Sequence, residues 1–265
     1  MDDNFDGMNR QSKLKKYFFV IRQMSSRELK RGNASSTLGQ LWNVINPIVS
    51  MITMSLIFGF VFNHELREFI PYVFTGTIVF GFYDNGMKGC MNALTGNKTL
   101  LIRTQIPQNV LLMEKIYLAF RRMLFSTIGY VIALIVTGTQ VGWPIALVPV
   151  VVFLSAMIML GIGKILAVVN IYFADITYFY QIIMRRLIFY GSAIFYHAEN
   201  LSPAVQSVIV FNPIYISITA MRACILYNGV PAPGIWIRLV VYAVVTYTIG
   251  TIVFKRGAQN VVARL

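Results

Sequence analysis

Charged residues are scarce in this chain, and that scarcity decides what it can fold into. Asp, Glu, Lys and Arg make up 12% of its 265 residues, against 57% hydrophobic residues. A soluble domain carries about 25% charge, so much of this chain's surface is unsuited to water. A membrane helix needs about 20 apolar residues, which leaves room for about five to seven spans and no separate soluble domain. Residues 1–265 therefore read as a single all-α transmembrane domain. Two cysteines make neither a disulfide framework nor a zinc cluster. A net charge of +13 would suit nucleic acid in a soluble protein, but in a membrane chain it first reports orientation, and no nucleic-acid partner is expected.

Residues 1–40 are polar and hold eight Lys/Arg and four acidic residues. They do not read as a signal peptide, because no apolar run with a small-residue cleavage site follows a short basic start. Within them, Leu14 to Ile21 mixes basic and aromatic residues. The pattern predicts an amphipathic helix in the headgroup plane within residues 10–40. Phe18, Phe19 and Ile21 dip into lipid, and Lys13, Lys15 and Lys16 lie on phosphates. Apolar runs predict spans over Leu41–Phe62, Ile70–Ala93, Tyr117–Thr137, Pro144–Phe173 and Ile237–Phe254. Pro47 would kink the first span unless neighbours satisfy the freed carbonyl.

Residues 187–228 are harder to read. LIFYGSAIFYHA is short and interrupted by Gly191 and Ser192, and the apolar run after it carries Asn212, Pro213 and Arg222. Charge decides the count. With six spans, segments 1–40, 94–122, 174–186 and 255–265 share the inner side and hold 18 of the 23 Lys/Arg. A seventh span would move Lys255, Arg256 and Arg264 outside, against the positive-inside rule. The expectation is six spans with both termini cytoplasmic. A fifth spanning helix starts near Leu187, and re-entrant outer gate helices follow over 198–230. Non-helical backbone at that depth is tolerated only where it is buried in protein or lines a cavity, which favours a pore or gate over a passive anchor.

Polar residues inside spans carry the next expectations. Asp84 and Lys88 share a helix face at i,i+4 and are placed to pair. Lys164 has no local partner and is a candidate for a substrate path. His64 and His197 have no companions at metal-ligand spacing, and no HExxH motif or catalytic residue is found. GNKT at 96–99 lacks the adjacent Gly-Lys of a phosphate loop, so the chain itself should not hydrolyse ATP and should bind no cofactor. Aromatic rings stack on the apolar faces of sugars. Tyr190, Phe195 and Tyr196 beside the break, with Trp42 at the head of the first span, are the aromatic candidates for a path.

Six stretches, in order, resemble the membrane subunit of ABC exporters for O-antigen, capsule and teichoic-acid polymers. The first is RELK…SSTLGQLWNVINP, carried by Glu28, Leu29, Lys30, Ser36, Leu38, Gly39, Leu41, Trp42 and Pro47. The others are NKTLLIRTQIP (97–107), GIGKILAVVNIYFADI (161–176), FYGSAIFY (189–196), FNPIYISITAMRACILYNGVP (211–231) and the C-terminal VFKRGAQNVVARL. The sequence departs from the family pattern at Asn33, Ala34, Ile106, Ala174 and Ala193.

The resemblance implies a permease subunit of the bacterial cytoplasmic membrane. It would form a homodimer with two copies of a separate ATP-binding subunit, which would hold ATP and Mg. The cytoplasmic loop 94–116 would contain the coupling helix. There Leu100, Leu101 and Ile106 would pack on the ATPase, Lys98 and Arg103 would meet its acids, and Pro107 would end the segment. A lipid-linked glycan would arrive from the inner leaflet past basic residues at headgroup level, Lys13, Lys16 and Arg31. Two other classes stay open. One is an ABC permease for a lipid, drug or other small substrate, and the other is a membrane enzyme acting on lipid-linked sugars.

Overall fold

The computed structural model describes residues 10–32, 39–62, 65–103 and 106–257, and every regular element among them is helical. Helix α1 (Arg10–Gly32) contains no proline, carries Lys30 and Arg31 in its last turn, where the helix dipole favours cations, and ends at Gly32. After a single 3-10 turn comes α2 (Trp42–Phe62), which continues through Pro47. The third helix, α3 (Leu66–Ala93), is followed by the short α4 (Lys98–Arg103) and then by α5 (Gln108–Thr137). Gly138 closes α5 in the left-handed conformation at φ 67°, and Thr139 N–H bonds back to Leu134. These are the bonds of a Schellman cap. Arg67 on α3 also donates to the Thr137 carbonyl at 2.6 Å, tying the two helix ends together.

A 3-10 turn over Trp143–Leu147 leads into α6 (Val148–Tyr172). Next come α7 (Ile176–Ile182) with a π-helical continuation over Ile183–Ile188, α8 (Pro203–Ile209), α9 (Pro213–Ile225) and α10 (Pro233–Gly257). Among the described residues, three helical segments are long and apolar enough to cross a membrane: Gln108–Thr137, Trp143–Tyr172 and Pro233–Gly257. Helices α8 and α9 meet at 94°, as a broken span or a re-entrant loop does. In α2 the apolar part is the shorter run Val44–Phe60. Helix α3 has the length but carries Arg67, Glu68, Asp84 and Lys88, and protein surrounds most of it.

Helix α3 is the hub of the bundle, packed by α2, α5, α6 and α9. Small residues allow the close approach that membrane helices need in place of a hydrophobic driving force. Gly86 faces Met159 of α6, Gly89 faces Lys115 of α5, and Gly163 of α6 faces Cys90 of α3. The closest crossing is α6 on α10, where Gly161 and Gly250 meet backbone to backbone.

The predicted boundaries of the first, fourth and last spans fall within a few residues of α2, Trp143–Tyr172 and α10. The helix expected to start near Leu187 is not found there. Helix there runs from Ile176 to Tyr190, and Gly191–Tyr196 is a turn. Ala193, just beyond that helix, is fully buried at φ 48°, a conformation that ends a helix.

Candidate functional site

Two regions gather polar and aromatic side chains, one at each end of the bundle. At the basic end, α1 packs across the head of α5. Lys115 Nζ ion-pairs with Glu28 of α1 and lies 3.2 Å from Glu114 Oε2. Glu114 is completely buried, and neither of its carboxylate oxygens has a hydrogen-bond partner among the described residues. One ammonium therefore serves two carboxylates. Arg121 donates to Ser26 Oγ at 2.8 Å, and Phe18 meets Tyr117 edge to face at 6.2 Å. Sequence inspection missed this clamp because its members lie about 90 positions apart.

Helices α1, α3 and α4 and the head of α5 enclose an open cleft of about 950 Å³. Arg27 and Arg31 reach it from α1, Lys88 from α3 and Arg122 from α5, and Ile106 lines it too. The expected Asp84–Lys88 ion pair is not formed among the described residues. Asp84 Oδ1 instead accepts from the Tyr180 hydroxyl of α7 at 3.2 Å. A partner across the helix interface replaced the one four residues along.

Helix α4 stands between α3 and α5 as a single exposed turn and a half. Lys98 is exposed. Leu101 turns inward into a core with Cys90, Leu94, Leu111 and Leu112, and Leu100 packs on the same cluster. The apolar side chain that α4 presents outward is Ile102, 57% exposed, which the sequence reading did not single out. Pro107 is exposed and precedes α5. The side chain of Arg103 lies outside the described residues.

At the opposite end, the turn Gly191–Tyr196 brings Tyr190, Phe195 and Tyr196 together. Phe195 is buried and stacks on Phe58 of α2 at 4.4 Å, with Tyr190 and Tyr196 edge-on at 5.6 and 5.9 Å. The Tyr196 hydroxyl donates to the Tyr190 carbonyl. Tyr190 is 55% exposed, so of these rings it is the one free to meet a passing molecule. Arg222 of α9 holds the turn. Its guanidinium donates to the carbonyls of Ala193 (2.9 Å), Ile194 (2.8 Å) and Tyr72 (3.1 Å) and lies 3.3 Å over the Tyr72 ring. Asn212 adds bonds to the Gly191 carbonyl and Ser192 Oγ, while its own carbonyl oxygen caps α9 at Ile214 N–H. The freed carbonyls of the break are thus satisfied by protein, the condition under which such a break is stable in a bilayer.

Lys164 does not face an open path. It is buried between α6 and α10, donating to Thr251 Oγ1 at 2.9 Å and lying 4.3 Å over the Tyr247 ring. Trp42 stands partly exposed at the head of α2, and Lys16 and Arg31 are exposed on α1. The Lys13 side chain and His64 lie outside the described residues. His197 stacks on Tyr72 at 4.3 Å. Cys90 and Cys224 are buried free thiols, and no grouping of His, Cys, Asp and Glu among the described residues could hold a metal ion.

Residues 20–226 match the family described as ABC-2 type transporter. The O-antigen export system permease protein RfbA of Myxococcus xanthus is 22% identical over 249 residues, covering 93% of this chain and 95% of that protein. Two proteins of the same description from Klebsiella pneumoniae are also similar. One is 21% identical over 207 residues (77% and 79% of the two chains). The other is 23% identical over 216 residues (80% and 82%).

Proposed function

The chain belongs to the ABC-2 type transporter family, and on that premise we propose that it is the membrane permease subunit of an ATP-driven exporter for a lipid-linked polysaccharide. The observation that carries this reading is the near end-to-end similarity to O-antigen export permeases. Two copies pair in the bacterial cytoplasmic membrane, each with one separate ATP-binding subunit that holds ATP and Mg. Six spans are proposed, five of them α2, α3, α5, α6 and α10, with the fifth in chain order following Arg186. Both termini are cytoplasmic, and α8 and α9 form a re-entrant outer gate.

The mechanism follows from the two ends of the bundle. ATP binding closes the ATPase pair and pushes on α4 and its flanks, residues 94–116. Lys98, Ile102 and Pro107 present the surface for that push, Arg103 is the further basic contact the family resemblance implies, and Leu100 and Leu101 transmit the push, because they are rooted in the core beneath. The glycan carrier enters at headgroup level beside Lys13, Lys16 and Arg31. The sugar chain then passes Trp42 and Tyr190, whose ring faces tolerate many sugar registers.

The test is export in cells. A strain lacking this chain is expected to make the polymer and retain it on the inner face of the membrane, with surface polymer restored on re-expression. Normal surface polymer in the deletion strain would refute the proposal.

A further inference from the structure

Helices α5 and α6 both have the length and composition of membrane spans, and both pack along α3. Between them runs a groove of about 660 Å³. The buried side chains Ile78 and Phe82 of α3 and Met221 of α9 form its floor. Leu124 and Val131 of α5 and Val152 and Phe153 of α6 line its walls. Among the described residues, no charged side chain lines it. The hydroxyls set into it are already satisfied. Thr127 donates to the Met123 carbonyl at 2.9 Å, Thr75 donates to the Pro71 carbonyl at 2.8 Å, and Tyr130 bonds Thr75. Water finds no partner in such a lining. Left empty, the groove would forfeit dispersion contacts along its whole length. Hydrocarbon is the filling that suits it.

That hydrocarbon could belong to an apolar helix of a second copy or to a lipid, and size decides between them. The α5 wall runs from Met113 to Leu134, about 31 Å at the helical rise, which matches a hydrocarbon core of about 30 Å. Spread over about 20–30 Å, the groove is a slot about 5–7 Å across. An α-helix with its side chains is about 10–12 Å across. The slot admits a row of helix side chains at most. A polymethylene chain, whose carbons approach neighbours to about 4 Å, fills it throughout. Its two mouths also lie at headgroup levels. Tyr117 lines one end, and Trp143, 70% exposed, stands just before Ile145 at the other, as aromatic anchors do at membrane interfaces.

We propose that the groove between α5 and α6 is a structural lipid site that holds acyl chains of bilayer phospholipids. The proposal rests on the membrane placement of these helices and not on the exported substrate.

The full-length chain, washed free of lipid in mild detergent, is titrated with palmitoyl-oleoyl phosphatidylethanolamine and followed by native mass spectrometry. Lipid adducts are expected to saturate at a fixed number per chain. Val152→Phe with Ala156→Phe, one helical turn apart on the groove wall, should fill the slot and weaken binding by at least about tenfold. Val244→Phe, on an exposed face of α10, should leave it unchanged. A phosphatidylethanolamine with a diazirine in its acyl chain should label the groove walls of the wild type in preference to the exposed face of α10, and unlabelled lipid should compete.

Equal lipid binding in a well-folded Val152/Ala156 variant overturns the proposal. So does labelling spread evenly over α5, α6 and α10, a result that needs no variant and stands if the double variant does not fold. If the filled variant keeps its lipid but loses pairing between copies, the groove belongs to a second copy and the lipid assignment falls. Undecaprenyl phosphate displacing the phospholipid at lower concentration would give the groove to a polyprenyl chain and overturn the acyl assignment. None of these readouts uses ATP hydrolysis or export, so failure here leaves the exporter reading to its own test.

Discussion

At the residue scale, stability should hinge on buried charges whose partners are few. Glu114 is completely buried, whereas Glu28 keeps 42% of its side chain exposed, and both depend on Lys115. Removing the ammonium strands a buried carboxylate, which costs about 3–5 kcal/mol. Removing the exposed carboxylate costs under about 1 kcal/mol. Lys115→Met is therefore expected to lower the melting midpoint far more than Glu28→Gln. Adding Glu114→Gln to Lys115→Met should recover much of the loss, a coupling that a double-mutant cycle in detergent reads out. Arg222 makes the same point at the other end. Arg222→Met leaves the carbonyls of Ala193 and Ile194 without this donor and should cost about 3 kcal/mol or more. Arg222→Lys should not rescue it, because an ammonium lacks the planar fork that stacks on Tyr72 while reaching three oxygens. A variant melting at the wild-type midpoint would contradict this assignment. The sequence marked Asp84 and Lys164 as charges inside spans, and Arg222 only as an interruption of an apolar run. It could not supply Tyr72, Tyr180 and Thr251, because each lies on another helix.

At the element scale, the fold depends on where helices touch and where they stop. A Cβ at Gly250 would fall on the Gly161 carbonyl, and one at Gly161 on the Thr246–Tyr247 peptide. Backbone cannot move aside as a side chain can, so Gly161→Val or Gly250→Val should separate α6 from α10 and abolish a cooperative melt. Gly81→Ala, with nothing near its Cβ, should be close to neutral. Equal effects at the three positions would contradict this packing. The long apolar helices were legible because length and punctuation define them: Pro144 opens the fourth, and Gly138 ends the helix before it. The fifth was not. Its apolar run continues past Tyr190, and the reason helix stops there is a positive φ at Ala193, stabilised by an arginine 29 residues onward. A composition window cannot register that contact. Residues 94–116 contain the short helix α4, whose inward and outward faces were not legible, because a six-residue helix has too few turns for periodicity to orient it.

At the scale of the whole molecule, the two ends of the bundle are built differently. A short helix rooted in the core projects at the basic end, and a bent helix pair with a pinned turn lies at the other. Helix α3 joins them, carrying Asp84 and Lys88 near one end and Tyr72 near the other. The central claim is that an external ATPase acts through α4. The most direct measurement co-expresses this chain with a separate ATP-binding subunit, purifies the complex in detergent, and compares the wild type with Ile102→Glu and Arg103→Glu. The account predicts a stable two-plus-two complex from which the variants release the ATPase or in which they uncouple its activity. A chain that never retains an ATP-binding subunit, or variants that assemble and hydrolyse ATP like the wild type, would contradict it.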